Sequence, residues 1–171
     1  MIAVYTYHLP DGEKANRNDF QYQGIAYSND KGRTWKKYEH NPVLPNTTGI
    51  RDFRDPKVFW HSESRQWVMT LAVKDHVEFW GSSNLLQWKL LSSFGADMGA
   101  HGGVWECPDL FPLKDPETDD EKYVLLVSIN PGGPNGGSAT QYFVGNFNGK
   151  EFIADASHQN NKILWLDYGR D

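Results

Sequence analysis

The 171-residue chain has a single cysteine, Cys107, so no intramolecular disulfide can form and thiol usage says nothing of the redox compartment. No run of about 18 apolar residues occurs, which leaves no helix to cross a membrane. Lys and Arg are scattered rather than clustered under a net charge of −5. Neither nucleic acid nor an anionic membrane surface is therefore expected as a partner, and a neutral substrate fits better. The histidines His8, His40, His61, His76, His101 and His158 lack metal-ligand spacing, so neither a metal nor any other cofactor is expected. The glycine-rich stretch 132–137 lacks the Lys-Ser/Thr and following helix of a phosphate cradle and reads as a loop. Helical periodicity of useful length is also missing. The first residues, Met1–Tyr5, enter a strand-like run with no basic region or cleavage site, and any secretion signal would lie upstream.

What is present is aromatic and strand-forming. Aromatics make up 14% of the chain, including seven Trp, a density that suits short strands and carbohydrate-facing surfaces. Residues 2–7, 20–28 and 35–38 read as three strands separated by the Pro10-Asp11-Gly12 turn and by the turn Ser28–Thr34. A linker with two prolines leads to a second unit at 57–60, 66–73, 76–82 and 87–91, and a third follows at 109–113, 123–129, 141–147 and 151–153. Asn46-Thr47-Thr48 matches a glycosylation sequon, for which a chance match is the plainer explanation.

Trp35, Trp88 and Phe152 close successive units, while Pro56 and Pro108 open two of them 52 residues apart, and Asp167–Asp171 would open the next. Four-stranded units at this period predict an all-β fold: part of a β-propeller, with about three blades of four antiparallel strands. Two charged segments stand at equivalent places in this pattern. One is Asp52-Phe53-Arg54-Asp55-Pro56; the other is Trp105-Glu106-Cys107-Pro108-Asp109. Asp55 and Glu106, 51 residues apart, are expected to occupy equivalent positions on successive units and to point into one site. The bland alternatives are an Asp paired with Arg54 at the start of a strand and a solvated Glu on a turn.

These segments resemble glycoside hydrolase family 32, the β-fructosidases that include invertases, levanases and exo-inulinases. The family's Arg-Asp-Pro motif stands as Arg54-Asp55-Pro56 and its Glu-Cys motif as Glu106-Cys107. Lesser likenesses at 23–28, 130–133, 141–145 and 165–171 extend the resemblance over nearly the whole chain. It implies a five-bladed propeller with a funnel-shaped site on its axis, followed in the family by a β-sandwich. It also implies retaining hydrolysis of terminal fructosyl residues of fructan or sucrose. Glu106 would be the general acid/base, Asp55 would stabilise the transition state and Arg54 would bind substrate. The family's nucleophile is an aspartate in a Trp-Met-Asn-Asp-Pro-Asn type motif of the first blade, which does not occur here. Residues 1–171 are accordingly expected to be an internal piece of the catalytic propeller, roughly blades two to four. The first blade and the sandwich would be absent, and the piece would be inactive alone.

A retaining glycosidase needs two carboxyls about 5–5.5 Å apart, one to attack and one to protonate the leaving oxygen. Trp105 and Cys107 are expected to give Glu106 low-polarity surroundings, with Cys107 a small buried hydrophobe and His101 a loop residue five positions upstream. Two rival readings remain. Ser28–Trp35 fits the Asp-box turn of sialidase propellers, though it occurs in full once, and a non-catalytic carbohydrate-binding propeller would carry the same strands.

Overall fold

A computed structural model describes residues 1–156 and 162–169, and within them the chain forms three antiparallel sheets in series. The first holds β1 (Ile2–His8), β2 (Gln21–Tyr27) and β3 (Lys36–Lys37) in that order. The second is the meander β4 (Phe53–His61), β5 (Gln66–Val73), β6 (His76–Ser82) and β7 (Lys89–Phe94). The third runs β8 (Val104–Lys114), β9 (Glu121–Asn130), β10 (Ala139–Phe147) and β11 (Phe152–Ala154). A further strand, β12 (Trp165–Asp167), pairs with β10 beyond the end of β11, so the outermost position of this sheet is shared by two segments. Asp167, expected to open a further unit, instead completes this one; Arg170, Asp171 and His158 lie outside the described residues. The Pro-Asp-Gly turn contains one helical turn, α1 (Pro10–Lys14), with proline at its first position, where the missing N–H has no partner to lose.

Alternation places the core. In β5, Val68 faces one neighbour while Met69, Leu71 and Val73 face the other, and all four are fully buried, so the middle sheet is covered on both faces. On the third-sheet side Val68, Val77 and Phe79 meet Trp105, Leu125, Val127, Ile129, Phe143 and Phe147. On the first-sheet side Met69, Leu71 and Val73 pack with Phe53, Leu44 and Val4. A strand that reads as one apolar run is thus two alternating half-cores, each sheet burying its face against the next.

The hairpin before each outermost strand repeats one turn. Ser28 Oγ accepts from Gly32 N while Asp30 Oδ1 accepts from Thr34 N; Ser82 Oγ accepts from Leu85 N while Asn84 Oδ1 accepts from Leu86 N and Gln87 N. Asn148 Oδ1 does the same for Lys150 N and Glu151 N. In the first two, a tryptophan ring N–H closes the turn on a backbone oxygen, Trp35 on Gly32 and Trp88 on Leu85. The Thr34 hydroxyl at 2.6 Å, the Thr34 amide at 2.9 Å and the Ser28 hydroxyl at 2.7 Å together hold the Asp30 carboxyl down to about 2 from its ordinary 3.8. A pKa lowered on folding means the turn keeps its full stabilisation above about pH 4 and loses it as the pH falls toward 2. In a carboxyl carbon NMR titration Asp30 is expected to titrate near 2, and Thr34→Val to bring it back toward 3.8.

β1 meets β4 in the same way that β5 meets β8. Trp105 N donates to Lys74 O just past the end of β5, and Thr70 contacts Pro108, so β5 runs backward as β8 runs forward. Likewise Asp55 N donates to Thr6 Oγ1, while Val4 shares a cleft with Pro56 and Val58. In its sheet β1 therefore holds the place that β5 holds in the second.

Candidate active site

The strands begin earlier than the sequence pattern suggests. β4 starts at Phe53 and β8 at Val104, so Arg-Asp-Pro and Glu-Cys-Pro lie inside strands rather than on turns before them. Each proline sits in a bulge on an edge strand: Asp55 and Pro56 oppose Leu71 alone, and Cys107 and Pro108 oppose Val127 alone. An unpaired bulge residue owes no ladder hydrogen bond, which is why proline is tolerated there. The first bulge residue has positive φ in both cases, +61° at Asp55 and +48° at Cys107. That conformation suits Asp better than Cys, and it costs about 1–3 kcal/mol where a bulkier side chain must adopt it.

The matching bulges fix the equivalence of the two segments, and it differs by one residue from the expected one. Asp55 corresponds to Cys107, and Glu106 corresponds to Arg54. The two carboxylates are therefore not at equivalent positions; they are brought together because equivalent residues touch across the seam. Arg54 Nη2 donates to Glu106 Oε1 at 2.7 Å, and Cys107 N donates to Asp55 Oδ2 at 3.0 Å. Lys57 Nζ donates to Asp109 Oδ2 at 2.8 Å, and all three contacts join residues 52 apart.

Arg54 is the centre of the group. Its guanidinium also pairs with Asp52 Oδ1, and its Nε lies 3.8 Å from Asp55 Oδ2, so three carboxylates surround one cation. Burial by itself lowers the Arg54 pKa, but the hydrogen bonds to Glu106 and Asp52 and the charges of Asp52 and Asp55 outweigh it and raise the pKa. The side chains of Arg54, Glu106 and Asp55 are 19%, 20% and 28% exposed, enough for a ligand to reach them. Carboxylates fixed beside a guanidinium can accept hydrogen bonds from sugar hydroxyls, and a carboxyl among them can exchange a proton with a leaving oxygen.

The backbone under Asp55 is held by polar groups of the first sheet. Thr6 Oγ1 accepts from Asp55 N at 3.0 Å and donates to Gln23 Oε1 at 2.9 Å; Gln23, fully buried, donates to Phe53 O at 2.8 Å. Gln21 Oε1 accepts from Phe53 N. Thr6, Gln21, Gln23 and Asp52 were not singled out from the sequence. Their partners lie up to 49 residues away, and only Asp52, two residues before Arg54, left a local sign.

Two expectations fail here. Trp105 is fully buried and its ring N–H donates to Ala100 O at 2.8 Å, so it belongs to the inter-sheet core and does not shield Glu106. Cys107 is exposed rather than buried, because its left-handed bulge residue turns out of the strand's alternation. The chance reading of the Asn46 sequon agrees with the structure: Asn46 is 9% exposed and its amide nitrogen donates to Ile50 O and Asn18 O, an arrangement that leaves no free amide for a glycan. His101 stacks on Trp105 with ring centroids 5.7 Å apart, and its Nδ1 lies 3.9 Å from Asp75 Oδ2 at the rim. Among the described residues no group of three His, Cys, Asp or Glu side chains could hold a metal ion.

A family profile described as the N-terminal domain of glycosyl hydrolases family 32 matches residues 1–171. The chain is 51% identical to a levanase of Bacillus subtilis over 172 residues, covering all of this chain and 24% of that protein. It is 43% identical to an extracellular exo-inulinase of Meyerozyma guilliermondii, covering all of this chain and 30% of that one. Among solved structures it superposes on the fructofuranosidase of Schwanniomyces occidentalis complexed with fructose with a TM-score of 0.85 and 40% identity, over 99% of this chain and 31% of that one. The three sheets match part of that fold, and the chain spans about a quarter to a third of the length of these relatives.

Proposed function

The chain belongs to glycoside hydrolase family 32, its three sheets forming part of the family's five-bladed propeller, and on that premise we propose that the whole protein releases terminal β-D-fructosyl residues from fructan or sucrose by a retaining double displacement. Glu106 is the general acid/base, Asp55 stabilises the flattened, cationic fructosyl ring through its hydroxyls, and Arg54 orients both and contacts substrate. The observation that carries this reading is the meeting of Arg54, Asp55 and Glu106 from two successive sheets at one solvent-reachable spot. The mechanism still needs a carboxylate to attack the anomeric carbon, and we assign that to an aspartate outside residues 1–171.

In this assignment the nucleophile's attack breaks the glycosidic bond as Glu106 gives its proton to the departing oxygen. A water then delivers one proton to Glu106 and its oxygen to the anomeric carbon, breaking the bond to the nucleophile, which leaves as its carboxylate, and releasing fructose with the original configuration. Each step places positive charge on the ring, where an ionised Asp55 strengthens its hydrogen bonds.

The test is direct. Full-length protein acting on sucrose, inulin and levan, followed by proton NMR from the first turnover, is expected to release the β-anomer of fructose first. First appearance of the α-anomer, or no release from any of the three, overturns the reading. Residues 1–171 expressed alone are expected to show no hydrolysis and to associate. Phe111, Leu113, Leu126, Tyr142, Val144 and Trp165 line an open apolar cleft on the outer face of the third sheet, a surface suited to packing against another sheet. Soluble, monomeric and active material would refute this second expectation.

A further inference from the structure

Below the candidate site the same two strands are joined a second time, and the proposed chemistry has no use for that contact. Lys57 Nζ donates to Asp109 Oδ2 at 2.8 Å. Lys57 stands opposite Thr70 and Asp109 opposite Leu126, whereas Arg54 stands opposite Ala72 and Glu106 opposite Ser128. The lower pair is thus two ladder positions from the upper one on both sheets, about 7 Å along the strands. Between them lie the two bulges. The buried Thr70 hydroxyl points at both strands at this level, 3.4 Å from Lys57 O and 3.4 Å from Pro108 O.

The bulges make this second contact matter. A strand's register is set by its ladder, but at Asp55-Pro56 and Cys107-Pro108 each edge strand departs from its ladder for two residues. The separation of Asp55 from Glu106 is then governed by whatever ties β4 to β8 on either side of the departure. Above, the tie is Arg54–Glu106, which bound substrate would disturb, since those groups are the ones that meet it. Below, the tie is Lys57–Asp109, which a sugar at the upper group does not need to touch. The Asp109 carboxylate depends on it, for its other oxygen, Oδ1, is buried and accepts no hydrogen bond.

We propose that Lys57 and Asp109 are positioning residues for the reaction: their ion pair clamps the first strands of successive sheets beneath the bulges and so fixes the spacing of Asp55 and Glu106 while Arg54 changes partners. This deepens, and rests on, the assignment of Asp55 and Glu106 as the working carboxylates. The pair is half-exposed, at 50% and 35%, so its share of global stability is small and its effect falls on alignment.

The test uses the full-length protein with Lys57→Met, Asp109→Asn and the charge exchange Lys57→Asp with Asp109→Lys. Each single variant is expected to lower kcat by about 10- to 100-fold, the size of a misalignment near 1 Å, with KM within about twofold and Tm nearly held. The exchanged pair is expected to recover most of the loss, a rescue that a general packing role would not give. Unchanged kcat in the single variants, or an exchange no better than they are, overturns the clamp. Glu106→Ala and Asp55→Asn are measured alongside. Should those two retain full turnover, the functional reading fails by itself, and crystal structures still decide the clamp. Asp109→Asn is expected to lengthen the Cys107 N to Asp55 Oδ2 contact beyond hydrogen-bond range from its 3.0 Å, and an unaltered contact refutes the proposal whatever the activity.

Discussion

Glu106→Ala in the full-length protein is expected to lower kcat on sucrose or inulin by about 10²- to 10⁴-fold, the usual worth of a placed general acid/base, with the fold intact. The reason is bond-making at the leaving oxygen. An alkoxide of glucose or fructose is a poor leaving group, and Glu106 is the carboxyl we assign to protonate it. A fructosyl donor whose leaving group needs no proton, such as fructosyl fluoride, should therefore lose much less in the first step. Its second step would still lack a base, and added azide should restore that step by attacking the fructosyl-enzyme without one. Glu106→Gln separates charge from geometry: the amide oxygen can still accept from Arg54 Nη2, now 2.7 Å from Oε1, but it has no proton to exchange. It should be as slow as the alanine variant. Losses under tenfold on sucrose, or equal losses on sucrose and the fluoride when azide is present, would remove Glu106 from this role.

Much of the scaffold was legible because its strands follow simple alternation. In β9, Leu125, Val127 and Ile129 point into the core, and in β10 Gln141, Phe143 and Phe147 do so. Turns such as Ser28–Thr34 and Asn148–Gly149 carry their own side-chain acceptors, so the hairpins announce themselves locally. The site was legible only as a pair of motifs. Aligning on Pro56 and Pro108 gives the true offset of 52, while aligning on the carboxylates gives 51, and no local rule chooses between them. The choice is made by the bulges, which exist because two residues must pass one partner across the ladder. Cys107 misled because cysteines are commonly buried, and a residue with φ of +48° escapes that tendency. Trp105 carries a readable consequence for its neighbour. Neighbours in a strand face opposite ways, so a tryptophan in the core implies that Glu106 beside it faces out. Thr6 and Gln23 had no local signature, since they reach Asp55 and Phe53 from another sheet.

Asp55→Asn is expected to lower kcat by about 10²- to 10³-fold while leaving KM within a few-fold and Tm almost unmoved. Asparagine tolerates the left-handed conformation that Asp55 holds at φ +61°, and its amide oxygen can still accept from Cys107 N, so the bulge and the seam survive. What disappears is the negative charge next to a ring that becomes cationic only in the transition state. An interaction stronger there than in the bound substrate changes kcat and not KM. Asp55→Ala removes the same charge but also asks a residue with a Cβ and no local hydrogen bond to stay left-handed, so it should fall as far in kcat and unfold more easily as well. The comparison of the two variants divides electrostatics from backbone strain. If Asp55→Asn instead raises KM as much as it lowers kcat/KM, Asp55 binds ground state and transition state alike, and the transition-state role passes to another carboxylate. Asp52 would then be the first to examine, since it shares the Arg54 guanidinium and is 24% exposed.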